Sequence, residues 1–237
     1  MWGFILPLMN FEKFEKDIEV TFKNKELLKR AFTHRSYVNE HGGSYWDHNE
    51  RLEFLGDAVL ELATSNFLYE KFPKEKEGVL TSYRSALVNT GTISSVAQKL
   101  GMNDFLLLSR GEAKDEGRAR QFILADVFEA VIGAIYLDQG YEVAEKFIKN
   151  NIFPLVEDVV KNKSWQDSKS FFQEKAQEVF NITPNYEVLE ESGPDHDKRF
   201  KVGVFVGEEK IAEGEGVSKQ EAEQNAAMEG LKAKNWA

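Results

Sequence analysis

The periodicity of the apolar residues changes once along the chain, and this change limits the fold more than any other feature. From Glu15 to about Val160, apolar residues recur every three or four positions, as they do along one face of a helix. Over residues 200–206 (FKVGVFV) they alternate with other residues instead, which is typical of a half-buried strand. A chain of 237 residues is long enough to bury a separate core in each part. We therefore predict two domains of different class.

The second part has the pattern of a small mixed domain. Further strand candidates lie at 186–189 and 210–212, after an amphipathic helix at 169–180. Ser218 and Glu221 form a Ser-x-x-Glu capping box, which predicts that a last helix begins there. The fold class is α+β multidomain: we predict an all-helical domain over 1–160, a polar linker over 161–167 and an α-β-β-β-α domain over 168–237.

Composition excludes several classes of protein. The chain has no cysteine, which excludes disulfide scaffolds, cysteine-ligated zinc, iron–sulfur clusters and thiol catalysis, and is compatible with a reducing, cytoplasmic setting. The net charge is −10, and residues 167–237 alone carry nine basic against 15 acidic side chains. Such a balance argues at first against nucleic-acid binding, because a polyanion normally requires a basic surface.

The first ten residues, MWGFILPLMN, are apolar but contain no basic residue, and Pro7 interrupts them. A membrane span needs roughly 20 apolar residues, and no stretch of this chain reaches that length. We expect a packing arm at residues 1–10 and no membrane partner.

The segment NERLEFLGDAVLEL (49–62) places acids on one side of a predicted helix. At roughly 100° per residue, its acids fall within an arc of about 80° that contains no lysine or arginine; they are Glu50, Glu53, Asp57 and Glu61. Like charges four residues apart cost an isolated helix roughly 0.2–0.5 kcal/mol per pair. This stripe therefore predicts a cation that faces it.

A second predicted helix, Phe122–Asp138, is apolar on nearly every side, and before Asp138 its charged residues are Asp126 and Glu129. Buried carboxylates are costly unless they are paired, protonated or bound to metal. The pairs Glu53/Asp57 and Asp126/Glu129 suit Mg²⁺ or Mn²⁺, which prefer oxygen ligands and can activate water for phosphoryl chemistry. Salt bridges to distant basic residues, or interactions with a helix dipole, remain alternatives.

Other catalytic arrangements are not supported. The four histidines form no Glu-x-x-His motif, and His34 is better explained as a capping or core hydrogen-bonding residue. The sequence shows no phosphate loop and no dinucleotide fingerprint, so we expect no organic cofactor.

The segment NERLEFLGDAVLEL closely resembles the signature of the ribonuclease III family. The segments AFTHRSY (31–37), KEGVLTSYRSALVN (76–89) and ILADVFEAVIGAIYLDQG (123–140) resemble further family blocks in the expected order. The segments DSKSFFQEKAQE (167–178), GPDHDKRF (193–200) and GEGVSKQEAEQNAA (214–227) resemble a double-stranded RNA-binding domain. The resemblance covers nearly all of the chain after residue 15.

This resemblance implies a double-strand-specific endoribonuclease that hydrolyses phosphodiester bonds to 5′-phosphate and 3′-hydroxyl ends, in ribosomal and messenger RNA processing in the cytoplasm. Its cofactor would be Mg²⁺, with Mn²⁺ as a substitute. Asp57 and Glu129 would be catalytic, and Glu53 and Asp126 would complete the metal shell. Glu50 and Glu77 match acids that position RNA or water.

The resemblance also implies a homodimer with Phe54 at its interface, and a duplex-RNA contact made by the second domain. The RNA-binding residues would be Ser170, Gln173, His196, Lys198 and Lys219. Gln220 stands where the family commonly has a second lysine, so we expect modest, salt-sensitive affinity. Two alternatives remain open: a duplex-RNA-binding protein that does not cut, and an all-α Mg²⁺-dependent nucleotide pyrophosphohydrolase.

Overall fold

The computed structural model describes residues 11–42, 48–114, 117–161, 168–194 and 198–236, and the chain divides into two compact units at 162/163. The predicted arm at 1–10, linker residues 162–167 and His196 lie outside the described residues. A helical unit followed by an α-β-β-β-α unit agrees with the predicted fold class.

The described part of the first unit consists of α-helices joined by short turns. The helices, in chain order, are α1 (Phe11–Asp17), α2 (Lys25–Ala31), α3 (Arg35–His41), α4 (Glu50–Lys71), α5 (Glu77–Val88), α6 (Thr90–Lys99), α7 (Arg118–Gln139), α8 (Tyr141–Asn151) and α9 (Val156–Lys161). Short 3-10 turns lie at Met102–Phe105, Glu112–Lys114 and Phe153–Leu155.

Helix α7 is the centre of this unit, as its apolar sequence predicts. Its residues between 123 and 135 are buried apart from Asp126 and Glu129, which are half-buried. The helix begins four residues before the predicted start. Arg120 stabilises this first turn, because its guanidinium donates to the Asn103 side chain and to the Glu112 carbonyl. The other long helix, α4, packs directly against α7.

The AFTHRSY block joins three parts of the first unit. The backbone N–H of Asn49, just before α4, donates to the Thr33 carbonyl at 2.9 Å. On the other side, the N–H of Leu107 donates to the Phe32 carbonyl, and the N–H of His34 donates to the Leu107 carbonyl. The block thus fixes both the start of α4 and the segment that leads toward α7.

The second unit is a three-stranded antiparallel sheet with two helices packed on one face. Its elements, in chain order, are α10 (Ser168–Phe180), β1 (Asn185–Ser192), β2 (Arg199–Val206), β3 (Glu209–Gly216) and α11 (Lys219–Ala233). The alternation predicted for 200–206 is confirmed, since Val202, Val204 and Val206 are buried against Phe172 of α10 and Ala226 of α11. Strands β1 and β3 extend further than the sequence predicted.

The Ser218 N-cap predicted for α11 is confirmed, whereas Glu221 bonds to the residue before Ser218 and not to the Ser218 N–H of a standard capping box. The Ser218 hydroxyl accepts from the Glu221 N–H at 3.2 Å, and the Glu221 carboxylate accepts from the Val217 N–H at 3.0 Å.

Among the described residues, none of the helices of either unit combines the length and apolar character that crossing a lipid bilayer requires.

Candidate functional site

Helices α4 and α7 cross with their backbones in contact, and two glycines make this approach possible. A side chain on Gly56 would overlap the carbonyl of Glu129, and one on Gly133 would overlap the carbonyl of Leu52. The contacts pair 52 with 133 and 56 with 129, so the helices run antiparallel. The acids that flank these glycines on both helices are therefore brought to the same crossing.

The crossing assembles the four acids selected from the sequence, which we call the four-acid group (Glu53, Asp57, Asp126 and Glu129). Glu53, Asp126 and Glu129 are half-buried, and Asp57 is exposed. Their charges act on one another across the two helices: Glu53 is affected by Asp126, and Glu129 is affected by Asp57. The paired helices therefore present one anionic site.

Burial raises the pKa of every member of the group, and repulsion by neighbouring carboxylates raises it further. The pKa of Glu129 rises to about 8, first through desolvation and then through the charges of Asp57 and Glu53. The pKa of Glu53 rises to about 7, again first through desolvation and then through Asp126. Desolvation also raises the pKa of Asp57 and of Asp126. Each carboxylate is thus destabilised in its charged form by its surroundings.

The donor set of the four-acid group fits a hard divalent cation. All of its ligand atoms are carboxylate oxygens, and no lysine or arginine within the described ranges forms an ion pair with any of the four. As they stand, however, no three His, Asp or Glu side chains in the described part of the chain are arranged to hold one ion. A bound dication would remove the repulsion that raises these pKa values.

Glu50 extends the group at the start of α4. Its charge raises the pKa of Glu53 and of Asp126, and its carboxylate lies 3.5 Å from the Arg35 guanidinium. Arg35 is a residue that the sequence interpretation missed. Its signal was its place in the AFTHRSY block, which the structure brings beside the signature helix.

His34 has the structural role predicted for it. It caps α3, where its Nδ1 accepts from the Ser36 N–H at 3.3 Å, and burial lowers its pKa. The Ser36 hydroxyl in turn accepts from the Ser109 N–H at 3.1 Å. Helix α3 thereby holds the chain segment before α7 close to the acidic end of α4.

Glu77 is placed differently from the other predicted acids. It begins α5, is exposed, and accepts a hydrogen bond from the Thr81 hydroxyl one turn later at 3.1 Å. That contact is internal to α5, so within the described residues the structure gives no link between Glu77 and the four-acid group. Glu61 does lie near the group, because its charge contributes to the raised pKa of both Asp57 and Glu129.

Phe54 lies on the same helix as Glu53 but is 81% exposed, which is unusual for a phenylalanine. Leu62 and Tyr69, about two turns apart along α4, are also exposed, at 58% and 74%. Phe54 also lines a groove of about 600 Å³, together with Leu52, Leu55 and Leu137 and with the polar side chains of Arg30, His48, Glu50 and Arg51. The exposed apolar side chains of α4 have the character of a contact site for another protein.

The predicted RNA-binding residues occupy separate parts of the second unit. Ser170 and Gln173 are exposed on α10 and line a shallow groove. Lys198 directly precedes β2, and Lys219 is the first residue of α11, after the Ser218 cap. His196 cannot be placed with them, since it lies outside the described residues.

Both units match known protein families. Residues 24–156, which include the four-acid group, match the family described as "Ribonuclease-III-like". Residues 168–234, which include Ser170, Gln173, Lys198 and Lys219, match the family described as "Double-stranded RNA binding motif".

Whole-length relatives and solved structures agree with these matches. Ribonuclease 3 of Bacillus licheniformis is 47% identical over 221 residues, covering 93% of this chain and 88% of the relative. Ribonuclease 3 of Leptospira interrogans is 44% identical over 220 residues, covering 93% and 89%. The nuclease domain of ribonuclease III from Campylobacter jejuni, in a structure described as showing structural flexibility in the region involved in dimer formation, aligns with a TM-score of 0.55 and 42% identity. The alignment covers 61% of this chain and 99% of that one.

Proposed function

The chain belongs to the ribonuclease III family, and from this premise we propose which of its residues bind and which cut. It is a double-strand-specific endoribonuclease that carries its own duplex-RNA-binding domain. Membership of this family implies a nuclease that depends on a divalent metal. The two alternatives left open by the sequence lose their support, since the chain's whole-length relatives are ribonucleases.

We propose that the four-acid group holds Mg²⁺, for which Mn²⁺ can substitute. The observation that carries this proposal is the crossing of α4 and α7. It brings together four carboxylates that repel one another, and no lysine or arginine of the described residues forms an ion pair with any of them. When bound, the ion would supply an activated water and would stabilise negative charge on the phosphoryl oxygens.

The chain's own residues would bind and orient the reacting groups. Glu53 and Asp126 would complete the shell of anionic ligands, and Asp57 and Glu129 would be the most sensitive to substitution. Because the pKa of Glu53 is raised to about 7 and that of Glu129 to about 8, these two side chains carry protons at neutral pH that cation binding must release. Glu50, held by Arg35, would position RNA or water at the edge of the site, and we propose a similar role for Glu77.

We propose that cleavage leaves 5′-phosphate and 3′-hydroxyl ends, and that ribosomal and messenger RNA precursors in the cytoplasm are the substrates. The test is a cleavage assay that compares duplex with single-stranded RNA of the same sequence, with and without Mg²⁺. Duplex-selective, Mg²⁺-dependent cutting is expected. Duplex RNA that is bound without Mg²⁺ but stays intact after Mg²⁺ is added would contradict the proposal.

We propose that the protein acts as a homodimer through the exposed apolar side of α4. In a two-fold interface the same patch faces itself, so Phe54 of each protomer would lie against the groove beside Phe54 of the other. Two active sites would then be available for the two strands of a duplex. Sedimentation tests this: Phe54→Ala should shift the protein toward monomer, and a native monomer with full double-strand cleavage would contradict the shared interface.

We propose that Ser170, Gln173, His196, Lys198 and Lys219 contact duplex RNA. Duplex RNA is recognised mainly through its shape, 2′-hydroxyls and phosphates, and polar side chains of one exposed helix suit a minor groove. Lys219 stands at the N-terminus of α11, where backbone N–H groups favour an anion such as phosphate. Alanine substitution of Gln173 or Lys219 should weaken binding of duplex RNA in metal-free buffer.

A further inference from the structure

An ion pair occupies the end of the sheet at which the RNA-binding lysines stand. The ammonium of Lys198 lies 2.8 Å from the carboxylate of Glu191, near the end of β1. In the register of the sheet, Glu191 pairs with Phe200 on β2. One of the lysines proposed to contact RNA thus already has a carboxylate of this chain beside it.

Lys219, which is proposed to bind phosphate, lies close to the same end of the sheet. The Lys219 ammonium lies 5.6 Å from the centre of the Phe200 ring. Because directly opposed residues of antiparallel strands lie on the same face, Glu191 and Phe200 share the face on which α11 packs. The pKa of the Glu191 carboxyl is lowered, first by the hydrogen bond from Lys198 and in part by the charge of Lys219.

We propose that Glu191 is an intramolecular competitor of RNA phosphate, which holds Lys198 and attracts Lys219 until a phosphate displaces it. Glu191 would thereby set the affinity and the salt dependence of duplex binding. This inference rests on the proposed role of Lys198 and Lys219 in contacting RNA.

Charge balance explains why such a competitor has a measurable effect. Each phosphate neutralised by a free lysine releases counterions, and the logarithm of the affinity falls with the logarithm of salt concentration by about 0.9 per phosphate in the B-DNA case. A lysine that must first leave a carboxylate contributes less to this release. With nine basic and 15 acidic side chains over residues 167–237, the background field adds little attraction of its own.

The variant Glu191→Gln keeps the size of the side chain and removes its charge. Its matched control is Glu209→Gln, because Glu209 also forms an ion pair, with Lys234 at 3.0 Å. Glu209 pairs with Val206 at the opposite end of β2. The two sites are separated by roughly 20 Å at the usual rise per strand residue, which exceeds the Debye length of about 10 Å at 0.1 M salt.

Binding of the full chain to a fluorescent RNA duplex, measured by anisotropy without divalent cation over a range of NaCl concentrations, tests the proposal. At about 0.1 M salt, Glu191→Gln should bind roughly three- to fivefold more tightly than the native chain, with a salt slope steeper by about one. Glu209→Gln should stay within about twofold of the native affinity. An equal gain for both variants, or none for Glu191→Gln, overturns the proposal.

A double-variant cycle with Lys198→Gln separates this inference from the proposed function. If Glu191 competes for Lys198, the lysine substitution should weaken binding more in the Glu191→Gln background than in the native one. If Lys198→Gln weakens binding equally in both backgrounds, Lys198 binds RNA but Glu191 does not compete for it. If it changes neither, the RNA role of Lys198 fails as well. Unchanged thermal unfolding of each variant confirms that the exposed substitutions leave the fold intact.

Discussion

The two units of this protein both carry an excess of acid but arrange it in opposite ways. In the first, the four-acid group is gathered at a helix crossing, and burial and repulsion raise each pKa. In the second, several carboxylates of the sheet form ion pairs with lysines. The pKa of Glu213 is lowered to about 2, first by hydrogen bonds from Lys201 and Lys210. Net charge alone therefore does not indicate what an acidic protein binds.

The two units differ in what neutralises the charge of their acids. Several acids of the second unit form ion pairs within the chain, such as Glu223 with Lys169 at 2.6 Å. The four acids of the four-acid group form no ion pair with a lysine or arginine of the described residues, so their charge is relieved only by protons or by an added cation. A cluster of acids without basic partners thus indicates a metal-dependent site. Acids that already pair with lysines instead limit the affinity of those lysines for another anion.

The largest expected effect comes from a substitution within the four-acid group. Glu129→Gln should slow duplex cleavage at saturating Mg²⁺ by at least about 100-fold, because it removes the charge of a proposed metal ligand and catalytic group. Binding of duplex RNA without metal should stay within about twofold, since the second unit is untouched. Glu61→Gln removes the same charge beside the group and should change cleavage only a few fold. Equal loss of cleavage and binding in Glu129→Gln would show that the residue is structural.

The helix crossing that creates the group should be sensitive to a single methyl. Gly56→Ala places a Cβ against the Glu129 carbonyl, so we expect the free energy of unfolding to fall by about 3 kcal/mol, at the upper end of overpacking costs. Denaturant unfolding measures this. Gly78→Ala is the control, because a Cβ there meets nothing within 4 Å. It should be neutral or stabilising by up to about 1 kcal/mol, and a similar loss for both variants would contradict the close crossing.

The sequence predicted the acids of this crossing better than the crossing itself. The helical periodicity placed Glu53 and Asp57 in a stripe of acids that contains no lysine or arginine. It also showed Asp126 and Glu129 as charged residues of a predicted helix that is otherwise almost entirely apolar before Asp138. The roles of Gly56 and Gly133 were missed, although a glycine inside a long helix costs about 1 kcal/mol relative to alanine and so signals close packing. Spacing within one helix does not reveal which backbone it touches.

The same limit applies to contacts between distant segments. The strands of the second unit were located from alternation and turns, but their register was not, and that register is what places Glu191 opposite Phe200. The Arg35–Glu50 contact likewise depends on how the AFTHRSY block meets the start of α4. Local patterns predict elements and candidate residues, whereas long-range pairing requires the three-dimensional structure.

The pH dependence of stability should have opposite signs in the two units. The raised folded-state pKa values of Glu53 and Glu129, about 7 and about 8, mean that metal-free stability of the first unit falls as pH rises from about 4.5 to about 8. The lowered pKa of Glu213, about 2, means that its contribution in the second unit is present above about 4.5 and is lost as pH falls toward 2.

Hydrogen exchange, corrected for the intrinsic pH dependence of amide exchange, resolves the two units in one intact chain. Between about pH 5 and pH 8 without metal, protection of α4 and α7 should decrease severalfold, while that of β2 and β3 should stay nearly constant. Mg²⁺ added at the upper pH should restore protection in the first unit alone. The same change of protection with pH in both units would contradict the opposite arrangement of acids inferred for them.

The smallest expected effect is the response to monovalent salt, and its sign is the informative part. Near pH 7.5 without divalent cation, raising NaCl from about 0.05 to about 0.5 M shortens the Debye length severalfold. Screening should stabilise the first unit, because it weakens repulsion within the four-acid group. It should slightly destabilise the second, because it weakens attraction in exposed pairs such as Lys201–Glu213. Hydrogen-exchange protection of α7 and of β2 over this salt range gives both signs at once. Destabilisation of α7 would show that its acids are held by cations of the chain, and would remove the physical reason for placing a metal there.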